Sequence, residues 1–346
     1  MNRYLLSKRI KWIAGIALFI LCLANTVCAG QDTAQEPKKL FQGKITLGME
    51  TWPGYFPLIV AREKGYFKEA GLDVEIKRYI ALGELSKDYK AGKMQGRANL
   101  TLDAVKESLD GLEHKVVLAI DYSNGSDAIV ARKDIETVQA FRGKRVGYEP
   151  DTLEEFFMIW ALSENEMNLS DVISLSANPE ETAKKLKEGQ IDVAVTHEPF
   201  LSELVSSGNF HAVYSSSDAP GLITDILTFR KDFIDAYPET VEALLAAYFK
   251  GLAFWKEHPA QANAITAKEF NDTPEGIAAQ LKGIKMLDKR DNQIAFTFAA
   301  GLNSLYGNMR QIGKFILKHQ KPTAGQPSLD TDQLIERRFI KNITRE

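Results

Sequence analysis

The sequence predicts an α/β protein made of two sheet-building blocks and a helical C-terminal part. Three observations carry that expectation. Short apolar runs alternate with segments of helical apolar spacing from Lys44 to Phe229. The alternation pauses after Ala131 and resumes at Arg145, which gives blocks at 44–131 and 145–229. From Pro238 to about Leu317 the spacing is helical almost throughout. Such alternation builds layered sheets of mainly parallel strands.

In the first block, Ile45–Met49 reads as a strand and Trp52-Pro53-Gly54 as a turn. Pro57–Lys68 has helical spacing through Leu58, Val60, Ala61 and Phe67, and Gly71 stops it. Leu72, Val74 and Ile76 alternate as a strand, and a helix over Leu82–Ala91 ends at Gly92. A loop after Ala98 leads into a further helix. Val116–Ile120 is continuously apolar, as buried strands are, and Ala128–Ala131 is another strand. The second block repeats the pattern. Strands are expected at Arg145–Gly147, Val172–Leu175, Ile191–Val195, Ala212–Tyr214 and Ile226–Phe229. Helices are expected at Leu153–Leu162, Pro179–Glu188 and Glu198–Val205, the second opening on proline and closing at Gly189. Lys321–Gln326 reads as loop.

The N-terminus has a different character. Residues 1–29 hold Arg3, Lys8, Arg9 and Lys11 with no acid, then an apolar run from Ile13 to Ala24, then Val27-Cys28-Ala29 before Gly30. That order is expected of a secretory signal peptide. The apolar run is short for a membrane span of about 20 residues, and Asn25 is a poor fit to a lipid-attachment box built on Cys28. Gly30–Phe41 is expected to be a flexible leader.

Composition then excludes several classes. The 346 residues hold 43 basic and 46 acidic side chains, a net charge of −3. Without the four basic residues of the signal, 39 remain against 46 acids, giving −7. No basic excess favours nucleic acid. Both cysteines, Cys22 and Cys28, leave with the signal, so the mature chain has no thiol nucleophile, disulfide or thiolate metal site. Gly143 and Gly147 form no dinucleotide fingerprint, no phosphate loop is present, and the five histidines lack zinc-hydrolase spacing. No metal or cofactor is expected.

Several segments resemble one family. Trp52-Pro53-Gly54-Tyr55-Phe56-Pro57 is followed by Ala61-Arg62-Glu63-Lys64-Gly65-Tyr66-Phe67-Lys68-Glu69-Ala70-Gly71-Leu72-Asp73-Val74. Asp121–Ala128, Phe141–Gly147, Gly189–Pro199 and Pro220–Asp225 follow in family order. Together they resemble the periplasmic solute-binding proteins of nitrate, sulfonate, taurine and thiamine-pyrimidine ABC importers. The resemblance implies a two-lobed, type II periplasmic-binding-protein (Venus-flytrap) fold that closes on its ligand by hinge motion. It implies a first lobe at 42–125 and 226–320, a second at 126–225 with the hinge crossings, and a C-terminal tail at 321–346. The implied protein is a periplasmic monomer, not an enzyme. Its partners would be a small solute and an ABC permease with its ATPase.

Ligands of open α/β sheets sit beyond the carboxyl ends of the strands. The residues there are Glu50, Trp52 and Tyr55; Thr101 and Asp103; Asp121, Tyr122 and Ser123; Glu149 and Thr152; and Thr196 and Glu198, joined by Asp225, which precedes the return strand. Trp52 and Tyr55 either enclose a ligand or anchor the turn. Thr101 and Asp103 either meet the ligand or cap the next helix. Thr152 is equally suited to capping, Glu198 to opening a helix, and His197 to ending a strand. Glu154-Glu155 reads as a solvated helix face. The candidates include no Lys or Arg. An acidic cleft repels a bare nitrate or sulfonate and suits a cationic, zwitterionic or neutral heteroaromatic ligand. Two other readings stay open: a binding protein that signals through a membrane kinase or cyclic-nucleotide enzyme, and a pyrimidine-synthesising enzyme of the related branch, which the lack of cysteine opposes.

Overall fold

Two mixed sheets carry the fold, and the chain crosses between them twice. The computed structural model describes residues 39–79, 82–319 and 330–343. Residues 40–346 form one compact unit; of the other, 1–39, only Lys39 is described. The expected signal peptide, residues 30–38 of the leader and the loop at 321–326 lie outside the described residues. Phe41, at the end of the expected flexible leader, is instead anchored, its N–H donating to Thr240 Oγ1 at 2.8 Å and its ring packing on Phe233 and Tyr237.

The strands in chain order are β1 (Lys44–Met49), β2 (Asp73–Arg78), β3 (Gly96–Leu100), β4 (His114–Ser123), β5 (Asp127–Arg132), β6 (Arg145–Tyr148), β7 (Ile173–Ser176), β8 (Val193–His197), β9 (Phe210–Ser215), β10 (Thr224–Arg230) and β11 (Ile284–Met286). The first sheet has the order β11-β4-β10-β3-β1-β2 and the second β7-β6-β8-β5-β9. β1 runs parallel to β2 and β3, and β6 runs parallel to β7 and β8. The sheets are less parallel than the alternation predicts. β10 is antiparallel to β3 and β4, and β5 is antiparallel to β8 and β9.

β11 is also antiparallel to β4, at the sheet edge, whereas β5 and β10 share one cause. β5 and β10 are the strands that arrive from the other sheet. Each enters at the edge where its neighbours end, so each runs against them. Only Asn124–Ser126 separate β4 from β5. At roughly 3.5 Å per residue that link spans no more than about 14 Å. The facing edges of the two sheets are therefore held close together by the chain itself.

Helices cover the sheets. α1 (Phe56–Glu63) is shorter than the predicted helix because Gly65 takes a left-handed φ of 78° and starts a separate turn at Tyr66–Glu69. α2 (Thr101–Leu109) follows β3, α3 (Leu153–Glu164) follows β6, and α4 (Pro179–Lys187) follows β7. Asn178 and Glu181 close a capping box at the start of α4. The helical C-terminal part includes α5 (Pro238–Glu257), packed on α1, and α6 (Leu305–His319), packed on α2. It is interrupted by β11, which pairs with the end of β4 at Asp121–Ser123. Farther on, Ile335 bridges to Val116, and α7 (Arg338–Ile343) buries Phe339, Ile340 and Ile343. One continuous apolar core joins both sheets, from Ile45, Leu118 and Phe229 to Val146, Phe157 and Val195.

Candidate ligand-binding site

Neighbouring strand ends of the first sheet carry carboxyl groups at one edge. Asp121 near the end of β4 and Asp225 at the start of β10 are register partners, so their side chains share a face. Asp103 lies in the first turn of α2, after β3, and Glu50 directly follows β1. Trp52 Nε1 donates towards both oxygens of Asp121 at 3.3 Å. The Tyr55 hydroxyl donates to Asp225 Oδ1. The other oxygen of Asp225 is buried with no hydrogen-bond partner. Gly54 lies directly against Asp121, with no room for a Cβ.

The edge of the second sheet is similar. Asp127 opens β5 opposite His197, the last residue of β8. Glu149 follows β6, and Glu154 is buried in the first turn of α3. Glu154 Oε1 lies 3.9 Å from His197 Nε2. The charges of Glu154 and His197 act on Glu50, and that of Glu154 on Asp103, so the two edges face each other. Direct contacts join the halves nearby. Lys106 Nζ donates to the Asp151 carbonyl at 2.5 Å, and the rings of Phe156 and Phe315 meet edge-on at 4.7 Å.

Burial makes these carboxyl groups reluctant acids. Glu50 is pushed up to about 7 by burial and then by Asp103. Asp121 is pushed up to about 8 by burial, against the pull of the Trp52 bond. Asp127 rises to about 6, again through burial first. Asp225 is held well above the carboxylate range by burial and by Asp121. Asp103 and Glu149 are raised for the same leading reason. Two basic groups near them, Arg97 and Lys106, have other partners. Arg97 pairs with Glu107 at 2.5 Å deep in the first sheet, and Lys106 holds the Asp151 carbonyl. Carboxyl groups shut away from water either keep a proton or take a cation.

A cavity of about 570 Å³ also exists at the opposite edge of the first sheet, near His114, Lys115 and Lys231. It lies beside the start of β4 and the end of β10, whereas ligands of such sheets sit beyond the strand ends that carry Asp103 and Asp121. The carboxylate edge is therefore the candidate site.

The NMT1/THI5-like family model matches residues 52–262, well over half of the chain. The chain belongs to the NMT1/THI5-like family. The taurine-binding periplasmic protein of Escherichia coli is 22% identical over 295 residues, covering 80% of this chain and 83% of that one. A Bacillus subtilis protein named for binding aliphatic sulfonates is 22% identical over 334 residues, covering 92% and 93%. The crystal structure of the periplasmic aliphatic sulphonate binding protein SsuA from Escherichia coli superposes with a TM-score of 0.68 at 13% identity, over 88% of this chain and 99% of that one. The fold is that of the periplasmic binding proteins.

In this NMT1/THI5-like chain the sequence-derived candidates fall into distinct groups. Glu50, Asp103, Asp121 and Asp225 form the acidic edge, with Trp52 and Tyr55 bonded to it. Asp103 also accepts a backbone hydrogen bond from Leu100, the residue that caps α2, so ligand-facing and capping roles coexist there. Thr101 is buried as the first residue of α2. Thr152 caps α3 by accepting from Glu154 N, and its hydroxyl lies 2.7 Å from the Glu149 carbonyl. Thr196 donates back to the Pro179 carbonyl at 3.3 Å, and Glu198 accepts from the backbone and hydroxyl of Ser202. Tyr122 alternates away from Asp121 and donates to the Asn303 carbonyl at 2.7 Å.

Ser123 sits in the crossing. Its hydroxyl donates to Asp127 Oδ2 at 2.5 Å and lies 2.8 Å from Ser216 Oγ, which also accepts from Gly125 N at 2.7 Å. Ser216 thereby ties the outgoing connection to the returning one. Ser216→Ala leaves Gly125 N–H without that partner and should destabilise the chain by about 1–3 kcal/mol. Amide hydrogen exchange should accelerate at 123–127 relative to wild type, and unchanged exchange there would count against this role for Ser216.

Sequence reasoning passed over Asp127 and Glu154. The Glu154-Glu155 pair is not a solvated face: Glu154 is 9% exposed, and Glu155 is half-buried and accepts from Asp151 N at 2.8 Å. The signal that finds Glu154 is its place in the first turn of a helix that starts at a sheet's ligand edge.

Proposed function

We propose that this chain is an extracytoplasmic solute-binding protein of an ABC importer, which captures a small organic solute between two lobes and hands it to a membrane permease. The observation that carries the reading is the pair of facing strand edges, both lined with polar and acidic side chains and joined by short crossings. The names of the relatives, for taurine and for aliphatic sulfonates, support a solute-binding role. On this reading the lobes are 42–125 with 226–320, and 126–225. They move about the crossings at 123–127 and 215–224. The mature chain works in the periplasm as a monomer and binds without catalysis. Among the described residues no helix is long and apolar enough to cross a membrane. A thermal-shift screen of the purified mature protein against amines, amino acids, sulfonates, nitrate and pyrimidines tests the reading. A solute at 100 times its Kd stabilises by about 2.7 kcal/mol. Uptake of the solute that binds should then fall when the gene is deleted. Binding with unchanged uptake would favour the sensory role, and a folded protein that binds nothing would contradict both.

A further inference from the structure

The acidic edge of the cleft has features that a purely structural cluster lacks. Asp225 is 2% exposed, and only one of its oxygens has a donor, Tyr55. The free oxygen is buried, and the groups acting on this carboxyl after burial are Asp121, Glu50 and Asp127. It therefore faces more carboxyl groups and no donor. Asp121 is fully buried, and its side-chain partner is the single N–H of Trp52. Across the cleft, Asp127 and Glu154 bring further acid towards the same point. His197 brings its Nε2 to 3.9 Å from Glu154; beyond that imidazole the cradle has more acceptors than donors, the complement of an alkylammonium or guanidinium group. A bare metal ion fits less well. Among the described residues no three His, Cys, Asp or Glu side chains lie close enough to hold one.

We propose that the solute carries a protonated amine or related organic cation, seated on Asp121, Asp225 and Glu50 and covered by Glu154 and Asp127 when the cleft closes. This rests on the solute-binding reading above and adds the charge of the ligand to it. A bound cation takes the place of the protons that Asp121 and Asp225 keep in the empty cleft, and the carboxylates of the two edges close on it, so binding and closure reinforce each other. The indole of Trp52, half-buried beside Asp121, offers a face to the cation or to its carbon chain.

The test is calorimetric titration of the mature protein at pH 7.5 with ethanolamine, putrescine and agmatine. Taurine, ethanesulfonate, nitrate and a neutral aminopyrimidine complete the panel. Ethanolamine and ethanesulfonate each carry one of the two charged ends of taurine and so report which end is held. The expected result is binding of amine-bearing probes and none of ethanesulfonate or nitrate. Affinity should fall by about tenfold to hundredfold in Asp121→Asn and, independently, in Glu154→Gln on the other sheet. Circular dichroism of both variants checks that they fold. Tight binding of ethanesulfonate, nitrate or the pyrimidine, unchanged or improved in Asp121→Asn, overturns the proposal and leaves the solute-binding reading standing. A folded wild-type protein that binds no member of the panel overturns both.

Discussion

The ligand-free protein should melt at a lower temperature at pH 8.5 than at pH 6.5, and Asp121→Asn should remove much of that difference. Unfolded carboxyl groups have lost their protons by about pH 5. In the folded chain Glu50 holds its proton to about pH 7 and Asp121 to about pH 8, and burial and Asp121 hold Asp225 well above its ordinary value. The folded state thus binds more protons than the unfolded one across this range. Its stability is greatest at the acidic end and falls as the pH rises through those values, by about 1.4 kcal/mol per pH unit for each extra proton held. Buried His114, held down to about 4, acts in the opposite direction. It does so only below the ordinary imidazole value near 6.5, which is why the comparison starts there. The ion-paired Asp88 and Asp192 are lowered instead, and their contributions are lost only in stronger acid. A melting temperature that is flat or rising between pH 6.5 and 8.5 would show that these carboxyl groups are ionised and solvated.

Gly54→Ala should weaken solute binding at least about tenfold and destabilise the fold by about 1–3 kcal/mol through overpacking. A Cβ at this position would stand 1.8 Å from Asp121 Oδ2 and 2.7 Å from Trp52 Nε1. Asp121 has little freedom to retreat. It is fully buried on β4, between β10 on one side and β11 on the other. The turn at Pro53–Tyr55 must therefore lift. That movement pulls Trp52 off Asp121 and Tyr55 off Asp225, so the loss in affinity follows from the packing. Urea unfolding and titration with the tightest-binding solute check the two effects. Wild-type values for both would mean that the turn does not position the cleft.

The fold was largely legible because its strands are apolar and its helices are punctuated by glycine and proline. Val116–Ile120 and the Asn178-Pro179 start of a helix needed no tertiary information. β11 was not legible. Ile284-Lys285-Met286 is short and lies at a sheet edge, and its pairing with Asp121–Ser123 is a tertiary event. The site was half legible. Collecting residues after each strand reaches Glu50, Asp103 and Asp121. It misses Asp127, which begins a strand, because an antiparallel crossing strand brings its first residue to the ligand edge. Glu154 was hidden for a different reason: an acidic pair in a helix looks solvated until the helix start is known to face another acidic edge.

A crystal structure of the mature protein with the tightest-binding solute tests the central claim most directly. The solute is expected between the two sheet edges, with a cationic nitrogen within hydrogen-bonding distance of Asp121 and Asp225 and with Glu154 closing from the other side. A solute bound elsewhere, or one that places an anionic group against those carboxylates, would contradict it.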